Sequence, residues 1–214
     1  MEDIEIKERI LKKAEESFVQ FGFSKVTMEE IAADLGMSKK TLYRFFPGKE
    51  QLLKEMISSQ KCIFEDFVLN LWSNKETSFI EKLKILMNYI GEHSSTFRGP
   101  LANDLQRNFP QIWEEINESR RTHSLAKFAL LIEEGIEKGV FRKDVDKQIL
   151  MLLYINAIQG ILNPELLSKL PYTGTQVFDS MVKVFLEGIF TEEGRKNYLD
   201  ASQSPVSVAV IKNL

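Results

Sequence analysis

The sequence predicts an all-α protein, in which three N-terminal helices are joined to a larger helical bundle. Apolar residues recur at three- and four-residue spacing along nearly the whole chain, the period that lays a stripe along one face of a helix. Gly22, Gly36, Pro47-Gly48, Gly99-Pro100 and Gly139 fall between those stripes and punctuate them. No convincing strand, internal repeat or low-complexity linker interrupts the pattern.

The first stripe is Ile6, Ile10, Ala14, Phe18 and Phe21, with Lys and Glu on the other faces and Gly22 suited to a left-handed C-cap. Thr27 reads as an N-cap whose capping box is completed by Glu30, and Met28, Ile31, Ala32 and Leu35 carry a short helix to Gly36. Ser38 is placed to cap a second short helix through Phe45. Pro47-Gly48 breaks the chain, and a longer helix begins near Lys49 and passes Phe67.

The segments then lengthen. A helix near Ser78–Ser94 is built on Phe79, Leu83, Leu86, Met87 and Ile90, a brief one follows over Leu101–Phe109, and the longest runs from Gln111 to Lys138. Asp144 is expected to open the next, which stays apolar nearly all round from Ile149 to Leu162. The last long helix starts at Gly174 or Thr175 and contains Val177, Phe178, Met181, Val182, Phe185 and Ile189. Beyond Gly194 the helical period fades. Val206, Val208 and Val210 alternate after Ser204-Pro205, so Val206–Leu214 is expected to be extended and to pack on the larger domain. The expected domains are residues 1–48 and 49–214, linked by the helix that starts near 49.

Composition excludes several classes. Cys62 is the sole cysteine, so an intramolecular disulfide and a multi-thiolate metal site are both impossible. No apolar run approaches the roughly 18 residues of a spanning helix. The opening MEDIEIKERI is charged and amphipathic, unlike a signal peptide, so a cytoplasmic setting without membrane partners is expected. His93 and His123 are far apart, with no metal-ligand spacing and no nucleophile elbow nearby. No enzyme activity, cofactor or metal is expected.

A net charge of −3 and a sequence pI of 5.6 argue against a nucleic-acid partner on balance alone. Placement matters more than balance. Between Gly36 and Lys49 stand Lys39, Lys40, Arg44 and Lys49, with no acid among them.

The first three of those cations lie in Thr27–Pro47, TMEEIAADLGMSKKTLYRFFP, which has the form of a helix-turn-helix, and Lys49 follows it. Ala32 is the small residue where two steeply crossed helices touch, Gly36 the reversal, and Leu42 the apolar plug. A recognition helix needs a short, polar, cationic outer face to enter a major groove about 12 Å wide. Lys39, Lys40, Thr41 and Arg44 provide one, Ser38 heads the helix, and Leu42 and Phe46 anchor it from behind. Thr27 offers donors to a phosphate at a helix N-terminus, and Tyr43 offers a phenolic hydroxyl. Lys49 sits where the helix dipole disfavours a cation, which predicts an external phosphate as its partner.

The stretch KVTMEEIAADLGMSKKTLYRFFPGKEQLLKEMI resembles the N-terminal domain of the TetR family of bacterial transcriptional regulators. The shared points are Phe21-Gly22-Phe23, Thr27 with Ile31-Ala32, Gly36 with Ser38-Lys39 and Thr41-Leu42-Tyr43, Phe46-Pro47, and Lys49-Glu50 with Leu52. They span residues 6–57; the remainder matches by helical layout only. Phe45 departs from the pattern, standing where the family often has a Tyr or His able to bond a phosphate.

The last two long helices have more than one face to bury, so a pair from each of two subunits is expected to form a four-helix interface, as the resembling family does. Leu153, Phe178, Met181, Phe185 and Ile189 are its candidates. The resemblance also implies an effector pocket among the central helices of the larger domain, for which Phe64, Phe67, Met87, Trp113, Phe128, Tyr154 and Asn156 are candidates. An aromatic lining suits a flat or greasy molecule. The expected protein is a ligand-responsive repressor, a homodimer on a pseudo-palindromic double-stranded DNA operator, released by a small hydrophobic or aromatic effector. The alternative is a DNA-binding scaffold for chromosome organisation or division with no small-molecule effector.

Overall fold

Ten helices and no strand make up the described residues of the computed structural model, 2–93, 99–161 and 169–203, so the chain is all-α. They are α1 (Glu2–Phe21), α2 (Met28–Asp34), α3 (Lys39–Phe45), α4 (Lys49–Ser73) and α5 (Phe79–His93). There follow α6 (Pro100–Asn108), α7 (Pro110–Glu137), α8 (Lys147–Ile161), α9 (Gly174–Ile189) and α10 (Glu192–Gln203). None of them is long and apolar enough to cross a membrane.

The chain folds as two compact units, Met1–Asp66 with Ser95–Ile116, and Phe67–Ser94 with Asn117–Leu214. In the first, α1 contributes Ile10, Ala14 and Phe18 to a core shared with Ile31, Ala32, Leu42 and Phe46 of the α2–α3 region. Leu52, Leu53 and Met56 of α4 and Leu101, Ala102 and Leu105 of α6 belong to the same core. The packing unit therefore extends well past residue 48, because the apolar faces of three short helices bury too little surface on their own.

In the second unit, Phe79 and Leu83 of α5, Leu131 and Ile132 of α7, and Phe178 and Ile189 of α9 are buried. Its α7–α8 connection is tied to the α9–α10 junction. Arg142 N–H donates to Ile189 O at 2.8 Å and Thr191 N–H to Val140 O at 3.0 Å, making one isolated antiparallel bridge between Phe141 and Phe190.

Two starts differ from expectation. The Asp146 carboxylate caps α8, accepting from the N–H of Gln148 and Ile149, while Asp144 pairs with Arg142 and lies outside the helix. The Arg142 guanidinium holds the Asp144 carboxyl down to about 2. Helix α10 was not expected from the fading period. It is started by Thr191, whose hydroxyl accepts from Gly194 N–H at 2.9 Å, followed by Glu192 and Glu193 in the dipole-favoured first turn. The tail Val206–Leu214 lies outside the described residues.

Candidate nucleic-acid interface

The helix-turn-helix is assembled by caps and one reversal. Thr27 Oγ1 accepts from Glu30 N–H at 3.2 Å, and Thr27 N–H donates to Glu30 Oε2 at 2.8 Å, closing the capping box at the head of α2. Gly36 takes φ +64°, and Met37 N–H returns to Ala32 O at 2.9 Å, so the chain turns sharply into α3. Ser38 Oγ accepts from Thr41 N–H at 3.0 Å and lies 2.8 Å from Thr41 Oγ1. Leu42 and Phe46 are fully buried and fix α3 from behind.

That anchoring leaves Lys39, Lys40, Tyr43 and Arg44 exposed on α3, with Thr41 half-buried. Lys39 Nζ pairs with Glu29 at 3.1 Å, and Arg44 pairs with Asp3 of α1 at 3.1 Å. The Glu29 carboxyl is held below its ordinary range first by its own backbone N–H and then by the Lys39 ammonium. Phe45 is half-buried against the core, and the Arg44 guanidinium lies 4.7 Å from its ring centre. The Phe45 ring thus offers Arg44 an aromatic surface in place of a phosphate-bonding group.

Lys49 corrects the reading of its own position. Its ammonium donates to Phe23 O at 2.8 Å and Val26 O at 2.9 Å and lies 4.5 Å from the centre of the Phe23 ring. The partner inferred as an external phosphate is the protein's own α1–α2 turn. Burial pushes the Lys49 pKa below its ordinary value, against the raising fields of Asp104 and Glu30. The same turn is gripped by Asp104 of α6, whose carboxylate accepts from both Ser24 N–H and Ser24 Oγ–H. Asp3, Glu29 and Asp104 lie outside the Gly36–Lys49 basic run, and only the tertiary fold brings them to it.

The pocket candidates fall in both units. Trp113 is a core residue of the first, buried with Ile112 and Ile116, and Phe64 is half-buried there. In the second, Phe67 stacks on Tyr89 at 3.9 Å, Phe128 stacks on Tyr154 at 4.0 Å with Phe185 beside them, and Met87 is half-buried. Asn156 is exposed and donates to Leu152 O of its own helix at 2.7 Å. The side chains of His93 and His123 lie outside the described residues.

The expected dimer stripe divides. Phe178 (6% exposed) and Ile189 are buried within their own chain, because α9 needs that face to close its own unit, while Met181 and Phe185 are half-buried. Leu153 is 57% exposed, and Ile149 and Leu152 share its face of α8 at i, i+3, i+4 spacing. Val184 on the adjoining α9 is 73% exposed.

A tightly cored helix-turn-helix with a cationic outer face, attached to a separate helical unit, defines the class of helix-turn-helix transcriptional regulators. A family model described as "Bacterial regulatory proteins, tetR family" matches residues 10–56. The HTH-type transcriptional regulator YvaF of Bacillus subtilis is 26% identical over 86% of this chain and 96% of its own length. A probable acrEF/envCD operon repressor of Escherichia coli is 20% identical over 86% of this chain and 89% of its own. Among solved structures, a transcriptional regulator from Cytophaga hutchinsonii superposes with a TM-score of 0.64 at 24% identity, over 86% of this chain and 98% of its own. The fatty acid degradation regulator FadR of Bacillus halodurans gives 0.62 at 21%, over 85% and 95%. Residues 10–56 thus carry the N-terminal domain of the TetR family of bacterial regulators, and the relatives that match over most of the chain are named as HTH-type regulators and repressors.

Proposed function

We propose that this chain is a ligand-responsive transcriptional repressor that binds a pseudo-palindromic operator in the cytoplasm as a homodimer and leaves it when a small hydrophobic or aromatic effector binds. Residues 1–48 make the DNA contacts, and 49–214 carry effector binding and dimerisation. The observation that carries the reading is the outer face of α3, where Lys39, Lys40, Tyr43 and Arg44 are exposed over the buried anchors Leu42 and Phe46. Thr27, Ser38 and Thr41 add hydroxyls at the helix heads; Lys49 acts by holding the turn.

The exposed apolar face of α8 and Val184 of α9 support dimerisation, since a lone chain leaves Ile149, Leu152 and Leu153 in water. The stacked Phe128 and Tyr154, with Phe185, support an aromatic or apolar effector class. In such a dimer, effector binding changes the separation of the two recognition helices, which must lie about 34 Å or a multiple apart to meet both half-sites.

The test is DNA binding by the DNA flanking its own gene. Lys39→Ala and Arg44→Ala are each expected to weaken operator binding by about 1–3 kcal/mol where a side chain reads a base edge, with helical circular dichroism unchanged. Tyr43→Phe is expected to weaken all sequences alike. Wild-type affinity in both cation variants would refute the assignment.

A further inference from the structure

The recognition helix does not leave its cations bare. Glu29, in the first turn of α2, holds the Lys39 ammonium, and Asp3, near the start of α1, reaches Arg44 across 41 residues of sequence. Both pairs are solvent-exposed, where an ion pair contributes little to stability. Neither acid is part of the core that builds the helix-turn-helix. Lys49 is committed to two backbone carbonyls, so Lys40 is the one cation of the four with no ion pair or side-chain hydrogen bond among the described residues. Half of the cations in the cluster are therefore already paired with carboxylates in the free protein, and its net charge is lower than the sequence suggests.

We propose that Asp3 and Glu29 are stand-ins for DNA: carboxylates that occupy the groove-facing cations of α3 in the free protein and that a duplex must displace. This rests on the DNA-reading role proposed for α3. On arbitrary sequence, Arg44 and Lys39 exchange a carboxylate for a phosphate, a nearly even trade, and the electrostatic attraction that makes up non-specific binding falls accordingly. At a matching site the same cations gain directed hydrogen bonds to base edges, which a carboxylate of the protein does not supply. The brake is read most directly on arbitrary DNA, whose binding is electrostatic. Asp3 and Glu29 thereby set how strongly α3 attracts DNA, although the sequence places both outside the basic run.

The test separates pairing from bulk charge by fluorescence anisotropy on a labelled random-sequence duplex at low ionic strength, where screening is least. Asp3→Asn is compared with Glu5→Gln, an exposed acid about 200° further round α1 with no ion pair among the described residues. Each substitution removes one negative charge, but only the first frees Arg44. Asp3→Asn is expected to tighten binding by about two- to fivefold more than Glu5→Gln does. That excess is expected to vanish when Arg44→Ala is already present. Glu29→Gln with Lys39→Ala is expected to repeat the pattern. Equal gains from Asp3→Asn and Glu5→Gln, or an excess that survives Arg44→Ala, would overturn the proposal. The two readings fail differently. If Arg44→Ala and Lys39→Ala bind DNA like the wild type, the role of α3 itself is wrong. If they weaken binding while Asp3→Asn and Glu29→Gln behave like the charge control, only the stand-in role is wrong.

Discussion

Asp104 on α6 accepts both the backbone N–H and the hydroxyl of Ser24, in the turn that leads from α1 to α2. Asn108, one helical turn along α6, donates to the same carboxylate at 2.6 Å and holds it in place. Gly22 takes φ +89° beside it, and a Cβ there would stand 3.2 Å from Asp104 Oδ2. Helix α6 thus grips the turn that leads into the helix-turn-helix within the first unit.

Replacing Asp104 by Ala is expected to lower stability by about 1–3 kcal/mol, since Ser24 loses both acceptors and water replaces them only in part. The pH dependence has a definite sign. Burial pushes the Asp104 carboxyl up, but the Ser24 N–H and hydroxyl, Asn108 and Lys49 outweigh it and hold it below its ordinary value. A depressed carboxyl contributes stability that is complete above its unfolded pKa and is lost as pH falls through the folded one. The gap in melting temperature between the wild type and Asp104→Asn should be constant near neutrality and close in acid below about pH 4. A gap that widens toward acid would contradict the clamp.

Lys49→Met tests whether that ammonium serves the fold or the DNA. Loss of two charge-assisted bonds to Phe23 O and Val26 O is expected to destabilise the protein by about 2 kcal/mol. Measured well below the melting temperature, the salt dependence of DNA binding should not change. A log–log slope reduced by about 0.9 for each lysine lost would show a phosphate contact instead.

Gly135 tests the second unit. A Cβ at this position would lie 2.1 Å from Phe141 Cδ2, inside the ring that packs against Phe79 and Phe190. Gly135→Ala is expected to destabilise by about 1–3 kcal/mol through overpacking. Phe141→Leu, which removes the ring edge, should cost less in the Gly135→Ala background than alone. Additive losses in thermal melts would mean the two positions do not collide.

Much of this was legible in the sequence, for reasons that differ by element. The α2 and α3 boundaries could be read because Thr27, Glu30, Gly36 and Ser38 act locally, through caps and a reversal only a few residues long. Helix α10 was missed because its apolar period is weak, although Thr191 followed by two glutamates is a start signal of the same local kind. The surroundings of Lys49 and Trp113 were not legible for another reason: the carbonyls of the α1–α2 turn and the core of the first unit lie far away in sequence. A stripe such as Phe178, Met181, Phe185 and Ile189 says that a helix has a face to bury. It does not say whether the burial is within one chain or between two.

That ambiguity sets the last prediction. Phe178 is buried in its own chain and Leu153 stands in water, so the same substitution at the two sites should have opposite consequences. Phe178→Glu places an unpaired carboxylate in the core of the second unit and is expected to abolish cooperative folding. Leu153→Glu leaves that core untouched. If α8 and α9 of two chains meet, however, it places a carboxylate at a contact that symmetry repeats. Sedimentation at micromolar concentration should then show Leu153→Glu as a folded monomer with helical circular dichroism, beside a wild-type dimer. The monomer should also bind a two-half-site operator far more weakly, because the second half-site no longer gains from a tethered partner. A wild-type chain that sediments as a monomer would refute both the α8–α9 interface and the paired operator built on it, whereas a dimer that survives Leu153→Glu would move the interface to another face.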